Sequence, residues 1–293
     1  MHKAGFVNIV GNPNVGKSTL MNQLVGEKLS IATFKAQTTR HRIMGIVNTE
    51  DTQIVFSDTP GVLKPNYKMQ EMMLQFSESA LADADILLYV TDVVEDPEKN
   101  MDFLEKVSKM SIPVILLINK IDESDQKTLG KLVTKWHGLL PNAEILPISA
   151  KNKFGVDILL KRVHELLPES PAFFDKDQLT DKPAKFFVSE IIREKILRYY
   201  DKEIPYSVEV VVERFKEDDR QIHINAVIYV ERSSQKGIII GHQGMALKKV
   251  STEARKSLER FFDKKIFLET FVKVDKDWRN SQKELGNFGY NPK

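Results

Sequence analysis

The segment GNPNVGKS, residues 11–18, has the residue types and the spacing that hold phosphate groups. It follows a mostly apolar stretch typical of a buried strand, and a helix is predicted to begin at its end. Gly11 and Gly16 let the backbone turn its N–H groups inward at a helix N-terminus, where the helix dipole favours an anion. Lys17 can reach the β- and γ-phosphates, and Ser18 can give its hydroxyl to Mg²⁺. The alternative is a plain glycine-containing turn, but the combination predicts a nucleoside triphosphate site.

A second contact with the triphosphate is predicted at the DTPG segment, residues 58–61. Asp58, an acidic residue at the end of a predicted strand, can hold Mg²⁺ through the water shell of the ion, and the N–H of Gly61 can reach the γ-phosphate. In isolation DTPG is typical of an ordinary turn, and its position after a phosphate loop favours the functional interpretation. One hydroxyl of Thr38 or Thr39, in the polar loop of residues 30–42, is expected to close on Mg²⁺. We favour Thr39, although the sequence alone does not decide between them.

The NKID segment, residues 119–122, predicts which base is bound. The carboxylate of Asp122 can accept hydrogen bonds from N1–H and the 2-amino group of guanine, whereas adenine offers neither donor there. Lys120 can lie along the ring, and Asn119 can tie this loop to the base and the phosphate loop. Farther on, the backbone of the SAK segment, residues 149–151, can contact guanine O6. Ligands of open α/β sheets bind at the carboxyl ends of the strands, so these positions favour guanine specificity.

These segments together predict one nucleotide site built from loops. The predicted nucleotide contacts are Gly11, Asn12, Pro13, Asn14, Val15, Gly16, Lys17, Ser18, Thr19, Asp58, Thr59, Pro60, Gly61, Val62, Asn119, Lys120, Ile121, Asp122, Ser149, Ala150 and Lys151. The residues predicted to take part in catalysis are Lys17, Asn14, Thr39 and Gly61. The residues predicted to hold Mg²⁺ are Ser18, Thr39 and Asp58.

The order of these motifs resembles the translation-factor-like class of small GTPases. In Ras-like switches a glutamine after D-x-x-G orients the attacking water, whereas this chain has Val62 at that position, so other groups must place the water. Asn14 resembles the asparagine that, in a subset of GTPases, helps to hold a potassium ion. Alternatively, Asn14 is a loop residue that bonds its own backbone, and the sequence leaves both interpretations open.

The length of 293 residues suggests about two domains, and 42% apolar residues with 29% charged residues is typical of a soluble globular protein. Because there is no cysteine, disulfides and thiolate metal sites are excluded. The apolar runs are too short for a membrane span, and residues 1–4 do not form a secretory signal.

Alternating strands and helices predict an α/β fold for residues 1–168, a doubly wound, mostly parallel sheet with helices on both faces. Residues 169–183 are interpreted as a linker, and residues 184–293 as a smaller α+β domain.

The second domain carries the positive charge of the chain. Residues 184–293 have a net charge of +5, and the stretch from Arg232 to Lys265 alone has a net charge of +6. That stretch contains the turn GHQG, residues 241–244, whose glycines let the backbone approach a sugar–phosphate chain. The segment Ile238 to Ile240 beside it could form a floor for unstacked bases. Another possibility is a helix–turn–helix corner with a solvated basic face.

Together with a predicted order of helix, two strands, two helices and a strand, this segment resembles a KH domain of the second type. The resemblance implies RNA binding, and His242 is then a loop residue near RNA rather than a catalytic base. The first helix of this domain is predicted over residues 188–200, and a terminal helix over residues 275–289. The predicted RNA contacts are Lys236, Gly237, Ile240, Gly241, His242, Gln243, Gly244, Lys248, Lys249 and Arg255.

A GTPase domain, a linker and a C-terminal KH domain together resemble the Era family of bacterial GTPases. The motifs that carry the resemblance are GNPNVGKS, KAQTTRHRI, DTPGV, NKID, SAK, GIIIGHQG and VKVDKDWR. The resemblance implies GTP and GDP as ligands, Mg²⁺, and binding to the 3′ end of small-subunit ribosomal RNA during subunit assembly. It also implies a cytoplasmic protein with some peripheral contact with the inner membrane; we expect a monomer that does not bind DNA. Two other classes stay open: a GTPase whose second domain docks protein, and a membrane-acting GTPase.

Overall fold

The computed structural model describes residues 1–291 of the chain. By the contacts between residues, this chain divides into two compact units. The first comprises residues 1–66 and 70–181, and the second comprises residues 67–69 and 182–291. The domain boundaries at residues 168 and 184 stay predictions.

The first unit is built on a six-stranded sheet with the order β2-β3-β1-β4-β5-β6. Only β2 is antiparallel to its neighbour, so the predicted doubly wound, mostly parallel sheet is confirmed. The central strands are almost continuously apolar because both faces of a parallel sheet are covered by helices. The strands are β1 (Lys3–Gly11), β2 (Ile43–Asn48), β3 (Thr52–Asp58), β4 (Ile86–Asp92), β5 (Val114–Asn119) and β6 (Glu144–Pro147). The helices are α1 (Lys17–Val25), α2 (Lys68–Ala82), α3 (Met101–Ser108), α4 (Gln126–Leu139) and α5 (Val156–Leu166).

Helix α4 was not predicted from the sequence. It begins after Asp125, whose side chain accepts a hydrogen bond from the backbone N–H of Thr128 and so caps the helix. Two glycines and a polar outer face weaken the helical pattern of this segment. The helix is fixed by Trp136, which is fully buried and packs against Tyr89 with ring centroids 5.8 Å apart. Tertiary packing therefore stabilises α4 more than the helix propensity of its own residues does.

The predicted linker follows the first unit as far as Asp181 rather than crossing open solvent. The ring of Phe173 packs on Phe6 with centroids 4.9 Å apart. The side-chain oxygen of Gln53 accepts hydrogen bonds from the backbone N–H groups of Phe173 and Phe174, at 2.7 and 3.0 Å. The proline-rich composition of this segment predicts neither a helix nor a strand. These contacts hold the segment in place.

The second unit contains a three-stranded sheet, β7-β8-β9, in which β8 is antiparallel to β7 and parallel to β9. Helices α6 and α8 pack on one face of this sheet through a core that includes Ile192, Ile196, Val250 and Leu258. The predicted order of helix, two strands, two helices and a strand is confirmed. The elements are α6 (Ala184–Tyr199), β7 (Val208–Glu217), β8 (Gln221–Val230), α7 (Ser233–Ile240), α8 (Met245–Phe262), β9 (Lys265–Val274) and α9 (Gln282–Asn287).

Two predicted helices of the second unit differ from the structure. Helix α6 begins at Ala184, directly after Pro183, and not at residue 188. The predicted terminal helix over residues 275–289 is wrong in extent, because only Gln282–Asn287 is helical. The preceding residues turn at Asp277, which has a φ of +56°, and this turn buries Trp278 completely. Its indole N–H donates to the carbonyl of Ser207 at 3.3 Å, which a continuous helix would not provide.

Within residues 1–291, none of the helices is both long enough and apolar enough to cross a membrane.

Candidate functional site

The phosphate loop joins β1 to α1, as the sequence predicts, and its glycines cannot be replaced without strain. Gly11 has a φ of +146°, and a Cβ atom there would lie 2.1 Å from the carbonyl oxygen of Val90. Gly16 precedes the first residue of α1 with a φ of +95°, and its Cβ atom would lie 2.3 Å from Nδ2 of Asn119. Because the N-cap residue of α1 is Gly16, no side chain caps the helix at this position, and the first turn of α1 has no acidic residue. The N-terminus of α1 is therefore open to an anion.

Lys17 is the buried cation of this loop. Its ammonium group donates to the carbonyl oxygens of Gly11 and Asn12 at 3.0 and 2.7 Å, so it lies across the loop. Burial lowers the pKa of Lys17 to about 8, although the nearby carboxylates of Asp58 and Glu95 act in the opposite direction. Burial disfavours the charged form of this ammonium group, and the negative charge of a bound phosphate group would stabilise it.

The three predicted Mg²⁺ ligands lie together at the start of α1. The hydroxyl of Ser18 lies 2.8 Å from Oγ1 of Thr39 and donates to Oδ2 of Asp58 at 2.8 Å. Thr39 donates to the same carboxylate oxygen at 3.3 Å. The other oxygen of Asp58, Oδ1, is buried and has no hydrogen-bond partner among the described residues. Burial also raises the pKa of Asp58, so a cation would stabilise its charged form.

This donor set fits Mg²⁺, which prefers oxygen ligands and usually takes one or two carboxylates together with phosphate oxygens and water. The structure also separates the two threonines that the sequence left open. Thr38 donates its hydroxyl to the carbonyl of Lys35 at 2.5 Å and lies 2.7 Å from Oγ1 of Thr33. Only Thr39 of the pair is within hydrogen-bond distance of Ser18 and Asp58, which supports the preference for Thr39 as a ligand.

The DTPG segment lies directly against the phosphate loop. Thr59 is fully buried and donates its hydroxyl to the carbonyl of Ile9 at 2.8 Å. Gly61 is so close to the loop that a Cβ atom would meet the backbone of Pro13 at 2.7 Å. The N–H of Val62 donates to the carbonyl of Gly11 at 3.1 Å, and the Val62 side chain is only 5% exposed. This side chain belongs to the core and cannot orient a water molecule.

The predicted base loop is tied to the phosphate loop by Asn119. Its amide donates to the carbonyl of Val15 at 2.8 Å, and its Oδ1 accepts from the N–H of Ala150 at 2.9 Å. Asp122 is exposed, and its Oδ1 accepts a hydrogen bond from the hydroxyl of Ser149 at 2.6 Å. This hydrogen bond holds the carboxylate in place. The side chain of Asn119 thus joins three of the predicted segments, which are the phosphate loop, NKID and SAK.

Lys120, which is predicted to lie along the base, has a φ of +62°. Its ammonium group donates to the carbonyl of Asn14 at 2.7 Å and pairs with Asp92 at 2.5 Å. A cavity of about 310 Å³ is bordered by the phosphate loop, residues 31–39, Gly61 and Lys120. Pro13 and Thr19 border the cavity, whereas Lys151 is an exposed residue of the turn that follows Ser149.

Three residues behind the phosphate loop were not predicted. The amide of Asn100, directly before α3, donates to the side-chain oxygen of Asn12 and to the carbonyl of Val62, the latter at 3.1 Å. Glu95 accepts from Thr91 at 2.9 Å, and burial raises its pKa. Asp92, the third of these residues, forms an ion pair with Lys120. Asn100 therefore connects the phosphate loop to the residue after DTPG. No local motif marks it, because its partners are far away in the sequence.

In the second unit, the predicted G-x-x-G turn lies between α7 and α8. Gly241 and Gly244 have φ values of +70° and +75°. A Cβ atom on Gly241 would meet Cβ of Ala246 at 2.6 Å, whereas one on Gly244 would meet no atom within 4 Å. His242 and Gln243 between them are exposed. The backbone at this turn is thus open to a polymer that passes it.

The predicted basic residues of α8 are mostly exposed. Lys248 and Lys249 lie on the outer side of the helix, and the ammonium of Lys249 lies 4.6 Å from the ring centroid of Tyr199. Arg255 pairs with Glu259 at 2.6 Å, so its charge is partly neutralised.

The predicted apolar floor is only partly correct. Ile238 is 49% exposed, whereas Ile239 is fully buried in the core and is unavailable to bases. Ile240 is half-buried and packs against the core. Lys236 is also half-buried, and Gly237 is exposed.

Comparisons with known proteins agree with this arrangement. Residues 6–120 match a family model described as 50S ribosome-binding GTPase, and residues 203–279 match the KH domain model. GTPase Era of Clostridium kluyveri is 44% identical over 292 residues, which cover 99% of this chain and 100% of the relative. GTPase Era of Geobacter sp. (strain M21) is 46% identical over 290 residues, which cover 98% of each chain.

Two solved structures are similar over nearly the whole chain. Era in complex with MgGDPNP and nucleotides 1506–1542 of 16S ribosomal RNA has a TM-score of 0.94 and 37% identity, covering 99% of each chain. An Aquifex aeolicus Era variant bound to GDP·AlF4⁻ has a TM-score of 0.94 and 37% identity, covering 98% of this chain and 99% of that one. With full-length relatives at this level of identity, and with the phosphate, metal and base loops joined in one site, this chain belongs to the Era family of GTPases.

Proposed function

We propose that this protein hydrolyses GTP to GDP and phosphate with Mg²⁺, and that its KH domain binds the 3′ end of small-subunit ribosomal RNA during assembly of the small subunit. The observation that carries the enzymatic part is the meeting of Ser18, Thr39 and Asp58 at the open N-terminus of α1. These oxygens come from three separate segments, and packing alone gives no reason to bury an unpaired carboxylate oxygen beside two hydroxyls.

Each part of the site has a distinct task in hydrolysis. The N–H groups at the start of α1 and the ammonium of Lys17 bind the phosphate groups and stabilise the charge that develops on them. Bound Mg²⁺ would be held by Ser18, Thr39 and Asp58 and would neutralise phosphate charge. The N–H of Gly61 is available to the γ-phosphate. Asp122 selects guanine, because it accepts hydrogen bonds that only guanine donates.

We propose further that a potassium ion contributes to hydrolysis at Asn14. Val62 is buried and cannot orient water, so additional stabilisation of the phosphate charge is needed. Asn14 is exposed at the edge of the cavity with a φ of +67°. Among the described residues its side chain has no hydrogen-bond partner, which speaks against the alternative that it bonds its own loop. Its amide oxygen is thus available to a monovalent cation.

The RNA part of the proposal rests on the open G-x-x-G turn and the exposed basic side of α8. A KH domain holds the backbone of a few nucleotides at this turn, and basic side chains add phosphate contacts. The related Era structure was solved with nucleotides 1506–1542 of 16S ribosomal RNA, which suggests the same target here. We expect the protein to be a cytoplasmic monomer without affinity for DNA. Peripheral contact with the inner membrane stays a proposal from the family resemblance, to be tested by sedimentation with anionic vesicles.

The test of the RNA part is the affinity for the 3′ end of the ribosomal RNA, measured by fluorescence anisotropy at several salt concentrations. Gly244→Asp places a negative charge where phosphates should lie and should reduce affinity at least tenfold, about 1.4 kcal/mol. Gly130→Asp on α4 is a matched control, since this exposed glycine has no atom within 4 Å of its Cβ position.

A second variant avoids backbone strain at the turn. Lys248→Gln combined with Lys249→Gln should lower the salt dependence of binding by about 0.7 for each lost phosphate contact. Both variants should bind GTP like the parent protein. If the folded variants bind this RNA with parental affinity and parental salt dependence, the G-x-x-G turn is only a corner between two helices.

A further inference from the structure

Helices α6 and α8 cover only one face of the sheet in the second unit. On the other face the segment after β9 packs on one end, where Phe288 lies 5.3 Å from Tyr229 between ring centroids, and the rest of that face is open around Phe267 and Phe271. Along β9 the residues alternate, so that Ile266 and Val272 point into the core and are 5% and 8% exposed. Phe267 and Phe271 point to the other side and are 50% and 49% exposed. Four residues along a strand correspond to about 13 Å, so the two rings form separate sites on one surface.

Polar and basic side chains surround these rings. His223 on β8 is the direct neighbour of Phe267, with ring centroids 5.6 Å apart, and Lys216 on β7 is the neighbour of His223. Arg214 lies in the next row of the same face, and Lys265 lies two residues before Phe267 on β9. We define the open sheet face as Arg214, Lys216, His223, Lys265, Phe267 and Phe271.

The charges on this face favour an anionic ligand. Among residues 1–291, no ion pair or hydrogen bond involves the side chains of Arg214, Lys216 or Lys265. Two nearby lysines differ, since Lys273 pairs with Glu213 and Lys264 pairs with Glu217. Glu269 is the single acidic residue in the rows between the two rings. The face thus keeps more free positive than negative charge.

The folded domain does not need the two exposed rings for its own core. Helices α6 and α8 already fill the opposite face, through Ile222, Ile224 and Ile266 among others. Single exposed apolar residues are common, but two flat rings on one face among unpaired cations are the composition of a platform for unstacked bases. Aromatic rings stack on bases of any sequence, and Lys and Arg contact the phosphates between them.

We propose that the open sheet face is a second RNA-binding surface of this domain, on which single-stranded bases stack against Phe267 and Phe271. Arg214, Lys216 and Lys265 contact the phosphates of the same strand. This inference rests on the proposed function, because it requires an RNA held by the domain. It adds a separate surface, since the G-x-x-G turn belongs to the helices that pack on the other face. A strand that leaves the turn would reach the open sheet face around the edge of the domain.

The experiment compares two RNA probes on the full-length protein by fluorescence anisotropy. The long probe is the segment equivalent to nucleotides 1506–1542 of 16S ribosomal RNA. The short probe is a strand of about four nucleotides from its 3′ part, which the G-x-x-G turn can hold by itself. Phe267→Ala with Phe271→Ala should lower affinity for the long probe by about fivefold or more for each ring, and leave the short probe unchanged. Phe173→Ala, a phenylalanine of the first unit that is 46% exposed, is the matched control.

A second variant tests the phosphate contacts without touching the rings. Lys216→Gln with Lys265→Gln should reduce the salt dependence for the long probe by about 1.4, and leave that for the short probe unchanged. Circular dichroism and thermal melting establish that each variant is folded, which is expected because all four side chains reach the surface.

The outcomes separate this inference from the proposed function. Unchanged affinity of the folded phenylalanine variant for the long probe overturns the second surface, while Gly244→Asp still reports on the first. If the long probe binds normally but the variant no longer binds assembled small subunits, the face contacts another part of the subunit, and its assignment to this RNA strand is wrong. If the parent protein binds neither probe above the level of random RNA, the proposed function fails, and the second surface fails with it.

Discussion

Raising the pH should weaken nucleotide binding through Lys17. Burial lowers the pKa of this lysine to about 8 in the nucleotide-free protein. A bound triphosphate places negative charge beside the ammonium group, so the pKa of Lys17 is higher in the complex. Binding must therefore take up a proton when the pH exceeds the pKa of the free protein. Below about pH 7 the lysine is charged in both states, and affinity should not depend on its titration.

The size of the effect follows from the fraction of protein that is still charged. At about pH 9, one unit above the pKa, roughly one tenth of the free protein carries the proton on Lys17. If only that form binds well, the affinity falls about tenfold, or about 1.4 kcal/mol. The measurement is a titration with a fluorescent GDP analogue from about pH 7 to about pH 9.5 at constant ionic strength. Calorimetry in two buffers with different ionisation enthalpies counts the protons taken up.

Lys17→Arg is the control, because a guanidinium group stays charged throughout this range. Its binding is expected to be weaker, but its pH profile contains only the contribution of the nucleotide, including ionisation of guanine N1. The difference between the two profiles is the contribution of Lys17. Parallel profiles would show that Lys17 keeps its proton in the free protein, and the argument from its burial would be refuted.

Three other substitutions test single contacts of the site. Asp122→Asn should change the preference from GTP to xanthosine triphosphate by several kcal/mol, because the 2-carbonyl of xanthine accepts where guanine donates; a competition assay that still favours GTP would contradict this. Hydrolysis should be faster in potassium than in sodium at equal ionic strength, and Asn14→Ala should remove the difference; equal parental rates in both salts would exclude a potassium site. Asn100→Asp loses the donors to Asn12 and Val62, and should lower kcat by about tenfold with little change in GDP affinity, which single-turnover kinetics and GDP titration can separate.

The nucleotide site was largely predictable because each of its motifs is a short local pattern at the end of a strand. Gly11 and Gly16 have φ values of +146° and +95°, which favour glycine, and phosphate chemistry requires Lys17, so these residue types form a recognisable local pattern. Asn119 could be predicted to reach the phosphate loop because parallel strands place their carboxyl ends side by side. The choice between Thr38 and Thr39 needed the structure, since adjacent residues of an irregular loop point in different directions.

The contacts that were not predicted depend on distant parts of the chain. Asn100 acts on Asn12 and Val62 only because the start of α3 lies behind the phosphate loop. No pattern of residues around Asn100 contains that information. The terminal helix was predicted too long for a similar reason, since the burial of Trp278 against Ser207 outweighs helical propensity in residues 275–281. Exposure on the open sheet face also follows from the topology, because either face of an alternating strand could have been the covered one.

The position of Val62 links these observations to the chemistry of the site. Its N–H is bonded to Gly11, its carbonyl is bonded to Asn100, and its side chain lies in the core. A residue held at three points cannot turn toward the γ-phosphate without breaking contacts on both sides of the phosphate loop. The same contacts keep Gly61, the preceding residue, against Pro13, with its backbone at the edge of the cavity. An apolar residue at this position therefore fixes the backbone that faces the phosphate, while charge stabilisation comes from Lys17, Mg²⁺ and the N-terminus of α1.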